Sequence, residues 1–269
     1  MAYKYPLSIQ LTLPENHEHD RDFREVLQTL QTYGFSGVEL NIVRPEGIDP
    51  QQLERFLNGF GLRMTMFASG ASAKAEGLSL CAPEEEVVEK SIARCGEFIR
   101  FAARFGAGVI VGFLKGGAAV DRQAARRRFA GSLERIAPLA LQARVPVLIE
   151  ATNRYESAVA NSLEDTCALI ACFSGNRYLR VLPDTYHMNI EEADPFAALR
   201  RHHSLYDSIH ISDNNRFFPG LGAIRFEELF QFLSDTNYSG SIAIEGNIRD
   251  DLLSDLRKSV SYLQPMIRG

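Results

Sequence analysis

The sequence has no long apolar run, and this absence argues against a membrane-spanning helix. Such a helix needs roughly 18 consecutive, predominantly apolar residues, whereas the aliphatic runs of this chain are short and separated by polar residues. Its opening segment, MAYKYPLSIQ, lacks the apolar core and the small-residue cleavage site of a signal peptide. We therefore expect a cytoplasmic protein with no membrane partner.

Cysteine is scarce, and positive charge is not in excess. The four cysteines form no Cys-x-x-Cys pair and are scattered at Cys81, Cys95, Cys167 and Cys172, which predicts reduced packing residues. The net charge of −5 provides no general attraction to nucleic acid or to anionic membranes. We therefore expect no nucleic-acid partner.

A glycine-rich dinucleotide motif is also missing. No G-x-G-x-x-G follows an early aliphatic run, and the Gly116-Gly117 pair is too isolated to predict a phosphate-binding loop. This absence weighs against a doubly wound open sheet, which is the alternative α/β architecture for this chain.

What the sequence does contain is a regular alternation of short aliphatic runs and amphipathic stretches. The runs predict eight strands, at 7–13, 38–40, 63–68, 109–113, 145–150, 179–184, 208–212 and 241–245. Helical spacing of apolar residues predicts helices between them, whereas 69–83 is predicted as a long loop. Such alternation gives parallel β/α units, and a (β/α)8 barrel typically has about 250 residues. We therefore predict an α/β fold, a single (β/α)8 TIM barrel spanning residues 1–269.

Polar residues stand at the ends of four consecutive predicted strands. Glu150 ends the fifth strand, Asp184 the sixth and Glu245 the eighth, and His210 lies in the seventh. The active sites of such barrels lie at the carboxyl ends of the strands. We therefore expect these three carboxylates and one imidazole to meet at the same rim.

This set of side chains predicts a metal site. Three carboxylates gathered without a counter-charge would repel one another, so we expect a cation between them. Carboxylates with one imidazole suit a hard or borderline ion that keeps open positions for a substrate, with Mn²⁺, Mg²⁺ or Co²⁺ as the candidates. Because no thiolate belongs to the set, a structural zinc site is not expected.

The same residues indicate a reaction. A metal with open positions can act as a Lewis acid on a substrate carbonyl and stabilise the enediolate that forms when a neighbouring proton leaves. Glu150 and Glu245 would flank such a substrate on opposite faces, so that one carboxylate abstracts the proton and the other returns it. This arrangement predicts epimerisation or aldose–ketose isomerisation of a keto-sugar.

Four segments resemble a known family. They are EATNRYE (150–156), DTYHMNIEE (184–192), HISDNNRFFPGLG (210–222) and IEG (244–246). They look like the sugar isomerase/epimerase family with the xylose-isomerase-like TIM barrel. Within that family they are similar to ketose 3-epimerases of the tagatose/allulose type and to a bacterial 4-epimerase of 3-keto-glycosides. The match is specific over about residues 145–250 and only architectural before them.

The resemblance also implies a function for each residue of the site. It implies one divalent ion held by four side chains: Glu150, Asp184, His210 and Glu245. Mn²⁺ is preferred over Mg²⁺ or Co²⁺. Glu150 and Glu245 would also form the acid/base pair. It implies three further side chains that hold substrate oxygens near the metal: Glu156, His187 and Arg216.

The chain departs from the ketose epimerases after its last glutamate. Those enzymes tend to have proline there, whereas this chain continues with Gly246-Asn247-Ile248-Arg249, which is closer to the keto-glycoside enzyme. The segment 69–83 and the residues Phe113-Leu114-Lys115 are expected to shape the far side of the pocket. Lys115 itself is predicted as a solvated loop lysine, with contact to a substrate phosphate or carboxylate as the alternative. Glu39 points to the same rim. It either supports the site from behind its ligands or has a purely structural function, and the sequence favours neither.

Other functions share these features. A metal-dependent dehydratase or lyase would use the same enediolate and eject a leaving group. A non-catalytic carbohydrate-binding protein would normally have lost a ligand or a glutamate, and all are present here. An apurinic endonuclease shares the barrel but uses zinc ions held by additional histidines, which the third and fourth predicted strands do not supply. Because relatives of this kind often form dimers or tetramers, a homo-oligomer remains an alternative to a monomer.

Overall fold

A computed structural model describes residues 3–268 of the chain. Its framework is a parallel sheet whose strands are β1 (Leu7–Thr12), β2 (Gly37–Asn41), β3 (Arg63–Ala68), β4 (Gly108–Val111), β5 (Val147–Glu150), β6 (Leu179–Leu182), β7 (Ser208–Ile211) and β8 (Ser241–Ile244). The strands lie in the order β6-β5-β4-β3-β2-β1-β8-β7. Each strand therefore pairs with its neighbour in sequence, except that β6 and β7 form the two edges, and β1 also pairs with β8.

Helices cover the outside of the sheet. They are α1 (Arg21–Tyr33), α2 (Pro50–Asn58), α3 (Gly70–Glu76), α4 (Glu85–Ala103), α5 (Arg122–Ala143), α6 (Leu163–Ile170), α7 (Thr185–Glu191), α8 (Pro195–Arg201), α9 (Phe226–Asp235) and α10 (Leu252–Ile267). Short 3-10 turns follow β2, β4 and α6, at Pro45–Gly47, Phe113–Lys115 and Ala171–Phe173.

Local sequence sets the helix boundaries. The side chains of Asp49 and Asp194 accept hydrogen bonds from backbone N–H groups at the starts of α2 and α8. Pro50 and Pro195 follow them in the first helical turn, where no N–H is needed. Gly34 ends α1 in the left-handed conformation, with φ of 78°, which glycine adopts without strain.

The sheet curls into a nearly closed barrel, and its two edge strands meet at a seam. Across this seam Asp184, which follows β6, forms a parallel bridge with His210 of β7. The backbone N–H of His210 donates to the carbonyl of Pro183 over 2.9 Å, and that of Val181 donates to the carbonyl of Leu205 over 2.9 Å. Two of the predicted metal ligands therefore stand where the barrel closes.

Apolar side chains form two layers around the strands. The larger layer lies between the strands and the helices and includes the stacked rings of Phe67 and Phe98. The smaller layer fills the barrel interior with Ala68, Ile110, Leu148 and Leu182, against which a methionine of β3 packs. Because Ala68 and Ile110 also line a cavity at the carboxyl ends of the strands, this interior layer is the floor of that cavity.

The structure confirms the predicted fold class and corrects some boundaries. Most strands end one or two residues earlier than predicted; β4 ends at Val111 because residues 113–115 form a 3-10 turn. The prediction of a long loop over 69–83 is wrong, because Gly70–Glu76 form α3, which ends at Gly77 with φ of 66°. Its alanines have high helix propensity, which the loop prediction underweighted.

Two further features concern the chain as a whole. Tyr3 and Arg268 form an antiparallel bridge, and the N–H of Lys4 donates to the carbonyl of Ile267 over 2.8 Å, so the two ends of the described chain are adjacent. Within residues 3–268, no helix has both the length and the apolar composition that crossing a bilayer requires.

Candidate active site

Four polar side chains converge at the carboxyl ends of the strands. Glu150 ends β5, Asp184 caps the N-terminus of α7 after β6, His210 lies in β7 and Glu245 follows β8. One oxygen or nitrogen atom from each side chain lies within 4.8 Å of those of the other three. The structure thus brings together the four residues predicted to bind a divalent ion, in a cluster that could hold one.

Asp184 and Glu245 have counter-charges within the protein. Arg216 places Nη1 2.5 Å from Asp184 Oδ2 and Nη2 2.9 Å from Glu245 Oε2, and His210 Nδ1 lies 2.7 Å from that same Glu245 oxygen. Burial would raise the pKa of Glu245, but Arg216 and His210 hold it below its ordinary value. The expectation that the carboxylates lack a counter-charge is therefore wrong for these two residues.

Glu150 differs from them because one of its oxygens has no partner. Its Oε1 is buried and accepts no hydrogen bond within the described chain, and His187 Nε2 lies 3.5 Å away. A buried carboxylate oxygen without a donor is unfavourable, and a bound cation would satisfy it. Together with the donor set of carboxylates and one imidazole, this atom makes the cluster fit a hard or borderline divalent ion.

A glycine makes room for the Glu150 carboxylate. A Cβ atom at Gly112, just after β4, would overlap Glu150 Oε2. Any larger residue at this position would therefore displace the carboxylate from the cluster.

Glu39 lies behind His210. Its Oε2 is 2.8 Å from His210 Nε2, and both side chains are buried. Burial would lower the pKa of His210, but Glu39 and Glu245 raise it well above its ordinary value. A carboxylate that accepts from the far nitrogen of a metal-binding histidine fixes the orientation of the ring and its tautomer. The structure thus gives Glu39, whose function the sequence left open, a place beside the site.

His187 and Glu156, predicted to bind substrate, are linked by Asn153. The Nδ2 atom of Asn153 lies 2.8 Å from His187 Nδ1 and 2.8 Å from Glu156 Oε1. When Asn153 donates to Nδ1, the proton of a neutral His187 ring is on Nε2, the atom nearer Glu150. Burial would lower the pKa of His187, but Asp184 and Glu150 raise it above its ordinary value.

Arg216 is held against the cluster by its own loop. It has a left-handed backbone with φ of 64°, and its guanidinium also lies over the ring of Tyr186. The loop that carries it is organised by the buried carboxylate of Asp213, which accepts from the backbone N–H groups of Asn214, Gly220, Gly222 and Ile224. The predicted substrate-binding arginine therefore lies in contact with two of the predicted metal ligands.

Lys115 is buried, so the prediction of a solvated loop lysine is wrong. Its Nζ donates to the carbonyls of Glu150 (2.6 Å) and Ala160 (2.9 Å) and to Thr152 Oγ1 (2.8 Å). Burial lowers the pKa of Lys115 to about 7, although Glu150 acts in the opposite direction. Lys115 thus ties the 3-10 turn after β4 to the loop after β5, which contains Asn153.

The predicted catalytic and substrate-binding residues share one cavity. It has a volume of about 110 Å³ and is lined by Glu150, Glu156, His187, Arg216 and Glu245, among others. Asp184 and His210 are fully buried beside it. Two carboxylates, from β5 and β8, therefore face the space in which a small substrate would lie.

Sequence reasoning missed Gly112, Asn153 and Asp213. Asn153 and Asp213 lie inside the segments EATNRYE and HISDNNRFFPGLG, so their polar character beside predicted site residues was a usable signal. Gly112 carried no such signal, because its importance depends on a side chain 38 residues further along the chain.

Comparison with families and curated proteins gives consistent matches. The family model described as xylose isomerase-like TIM barrel matches residues 27–266. The chain is 34% identical over 140 residues to 3-dehydro-D-guloside 4-epimerase of Escherichia coli K12, an alignment that covers 52% of this chain and 53% of that protein. It is 25% identical over 235 residues to D-psicose 3-epimerase of Enterocloster bolteae, covering 83% and 76%. The first match thus spans about half of that relative.

A solved structure has the same fold. The crystal structure of apo 3-keto-D-glucoside 4-epimerase from E. coli superposes with a TM-score of 0.81 and covers 97% of this chain and 99% of that chain. The sequence identity over this superposition is 24%. The likeness therefore concerns the fold.

Proposed function

Because the chain belongs to the xylose isomerase-like TIM barrel family, we propose that it is a divalent-metal-dependent epimerase or isomerase of a keto-sugar or a 3-keto-glycoside. The observation that carries this proposal is the pair of carboxylates, Glu150 and Glu245, which line one cavity and belong to one four-residue cluster. Relatives named as a 4-epimerase and a 3-epimerase support the reaction class. We further propose that residues 1–269 work as one barrel domain.

The proposed metal site consists of Glu150, Asp184, His210 and Glu245. Carboxylates and one imidazole favour Mn²⁺, with Mg²⁺ or Co²⁺ as alternatives. An ion bound there would supply Lewis-acid polarisation of the substrate carbonyl.

The proposed proton transfer uses the two glutamates. A substrate lying between β5 and β8 would present one face to Glu150 and the other to Glu245. One glutamate, as a carboxylate, would accept the proton from the carbon next to the carbonyl, and the other, as a carboxylic acid, would deliver its proton to the opposite face. General acid–base catalysis of this kind contributes about 10²–10⁴-fold to a rate.

Three other side chains would orient the substrate. His187 Nε2 lies beside Glu150, and Glu156 is joined to His187 through Asn153. The guanidinium of Arg216 would stabilise negative charge that develops on a substrate oxygen, since it is a cation at the wall of the same cavity.

Deuterium uptake from D2O into keto-sugars and 3-keto-glycosides tests the proposal. We expect uptake next to the carbonyl that EDTA abolishes and Mn²⁺ restores. Glu150→Gln and Glu245→Gln should each lower uptake at least about 100-fold, whereas Glu25→Gln, an exposed glutamate of α1, should leave it unchanged. Full activity in either site variant would contradict the two-glutamate mechanism.

The same experiment separates the alternative functions. Release of a substituent from the carbon next to the exchanging position, without an epimer, would assign a lyase or dehydratase instead. Binding of a sugar without any metal-dependent exchange would assign a non-catalytic carbohydrate-binding protein.

A further inference from the structure

The small cavity beside the two glutamates continues into a larger one. The larger cavity has a volume of about 520 Å³ and shares Gly112, Phe113, Glu150 and Glu245 with the small cavity of about 110 Å³. Ligand pockets commonly measure about 300–1,000 Å³, so the small cavity alone lies below that range. The substrate space therefore extends well beyond the reacting centre.

The larger cavity is formed mainly by the half of the barrel that supplies no predicted metal ligand. Gln10 and Thr12 of β1, Asn41 of β2 and Lys74 of α3 line it, together with Asn247 after β8. We call the space lined by these five residues the distal subsite.

The distal subsite presents hydrogen-bonding groups that are mostly uncharged, and some of them have no partner in the described part of the chain. Asn41 Nδ2 donates to Gln10 Oε1 over 2.6 Å, and Asn41 Oδ1 accepts from the N–H of Ala71 over 3.1 Å. Within residues 3–268, Gln10 Nε2 donates no hydrogen bond. In the described part of the chain, the side chains of Thr12 and Asn247 make no hydrogen bond, and Lys74 forms no ion pair. Amides and a hydroxyl of this kind match a ligand rich in hydroxyl groups.

An aromatic ring stands where the two cavities join. Phe113 lines both of them, and 59% of its surface is exposed. A large exposed aromatic residue beside a polar cavity is typical of a binding surface. Its face is available to pack against the apolar face of a sugar ring.

We propose that the distal subsite binds a second sugar unit, so that the substrate is a 3-keto-glycoside with a sugar substituent and not a free keto-sugar. This inference rests on the proposed function and specifies its substrate. The reacting ring lies in the small cavity between Glu150 and Glu245, the glycosidic bond passes Phe113, and the second ring meets the amides and the hydroxyl of β1 and β2.

Three substrates of increasing size test the inference with the Mn²⁺-loaded protein. They are D-psicose, the methyl glycoside of 3-keto-D-glucose and a 3-keto-disaccharide, each followed by deuterium uptake from D2O. We expect kcat/KM for the disaccharide to exceed that for the methyl glycoside at least about tenfold. Equal values for these two substrates would overturn the distal subsite while leaving the proposed function intact.

A cavity-filling variant locates the second sugar. Ala71 of α3 lines the larger cavity but not the smaller one, so Ala71→Leu should lower kcat/KM for the disaccharide about tenfold and leave that for the methyl glycoside unchanged. Ala75→Leu is the matched control, because Ala75 is exposed on the same helix and does not line the cavity. An equal loss for both substrates, or none, in Ala71→Leu would count against the inference.

A second variant removes one hydrogen-bonding group without adding volume. Thr12→Val should raise KM for the disaccharide several-fold at unchanged kcat, with no effect on the methyl glycoside. An unchanged KM for the disaccharide in both Thr12→Val and Ala71→Leu would overturn the subsite. Absence of exchange with all three substrates would instead overturn the proposed function, and the distal subsite with it.

Discussion

Glu39 shows how a side chain on a distant strand can determine which ring nitrogen of a histidine faces the site. It accepts from His210 Nε2 on β7 although it lies on β2. With Nε2 engaged in this way, Nδ1 is the nitrogen that faces Glu245. We therefore regard Glu39 as a residue that positions His210 and touches no substrate.

The variant Glu39→Gln tests this positioning. Loss of a carboxylate behind a metal-binding histidine typically lowers metal affinity about 10–100-fold, because an amide no longer holds the ring and its tautomer. Titration calorimetry with Mn²⁺ should show a Kd raised within that range. Glu25→Gln serves as the control, and a Glu39→Gln protein that is folded by circular dichroism and has an unchanged Kd would refute the assignment.

At the scale of elements, the loops after β5 and β7 carry most of the predicted substrate-binding groups. Each is anchored by one buried charged side chain, Lys115 for the first and Asp213 for the second. Both anchors bind backbone groups, so they hold the shape of a loop without approaching a substrate. Loss of either should therefore loosen the loop that it anchors.

Lys115→Met is expected to loosen the loop after β5. Methionine has a similar length but no donor, so the carbonyls of Glu150 and Ala160 and the hydroxyl of Thr152 lose a partner. A buried acceptor without a partner is unfavourable by about 1–3 kcal/mol, which corresponds to roughly tenfold or faster amide hydrogen exchange in residues 151–161. Lys90→Met is the control, since Lys90 binds the Glu76 carbonyl at the exposed surface. Equal protection of the loop in both variants would contradict the anchor.

Asp213→Asn is expected to destabilise the loop that carries Arg216. Both oxygens of Asp213 accept backbone N–H groups, and an asparagine NH2 would face donors at one of the two positions. We expect the free energy of unfolding in urea to fall by about 2–4 kcal/mol, given the strength of hydrogen bonds to charged groups. Asp207→Asn should change it by less than about 1 kcal/mol, because the Asp207 carboxylate is mostly exposed and its ion pair with Arg180 is long, at 3.5 Å. A fall no larger than in this control would argue against the anchor.

The site residues could be predicted from a local rule, whereas the residues that hold them in place could not. Glu150, Asp184 and Glu245 each follow a buried aliphatic run, and parallel strands bring such residues to one rim, so a linear sequence sufficed to find them. Lys115 donates to groups 35 to 45 residues away, and Glu39 meets a histidine 171 residues away. No periodicity in a short window carries information about contacts of that range, and for this reason burial of Lys115 was missed.

At the scale of the whole molecule, the proposed ligands lie on both sides of the seam between β6 and β7, where the sheet itself is joined weakly. They come from β5, β6, β7 and β8, and the seam between β6 and β7 is closed by a bridge between two of them. A bound ion would connect the edges of the sheet through side chains, so its removal should lower the stability of the entire barrel.

Removal of the metal should therefore lower the melting temperature. A ligand at 100 times its Kd stabilises the folded state by about 2.7 kcal/mol, and 1 kcal/mol corresponds to about 2–4 °C for a chain of this size. We expect scanning calorimetry to show a fall of about 5–10 °C when EDTA replaces Mn²⁺. Asp184→Asn should show little of this difference, and an identical melting temperature of the parent protein with and without Mn²⁺ would exclude a bridging ion.

The seam also indicates where the chain could be cut. The sheet runs from β7 through β8 and β1 to β6, and the bridge between Tyr3 and Arg268 places the two ends of the described chain side by side. A circular permutant that joins these ends by a short linker and begins in the turn before β7 would therefore pair every strand with its predecessor in order of synthesis. In that protein the histidine of the first strand and the aspartate after the last would complete the ring.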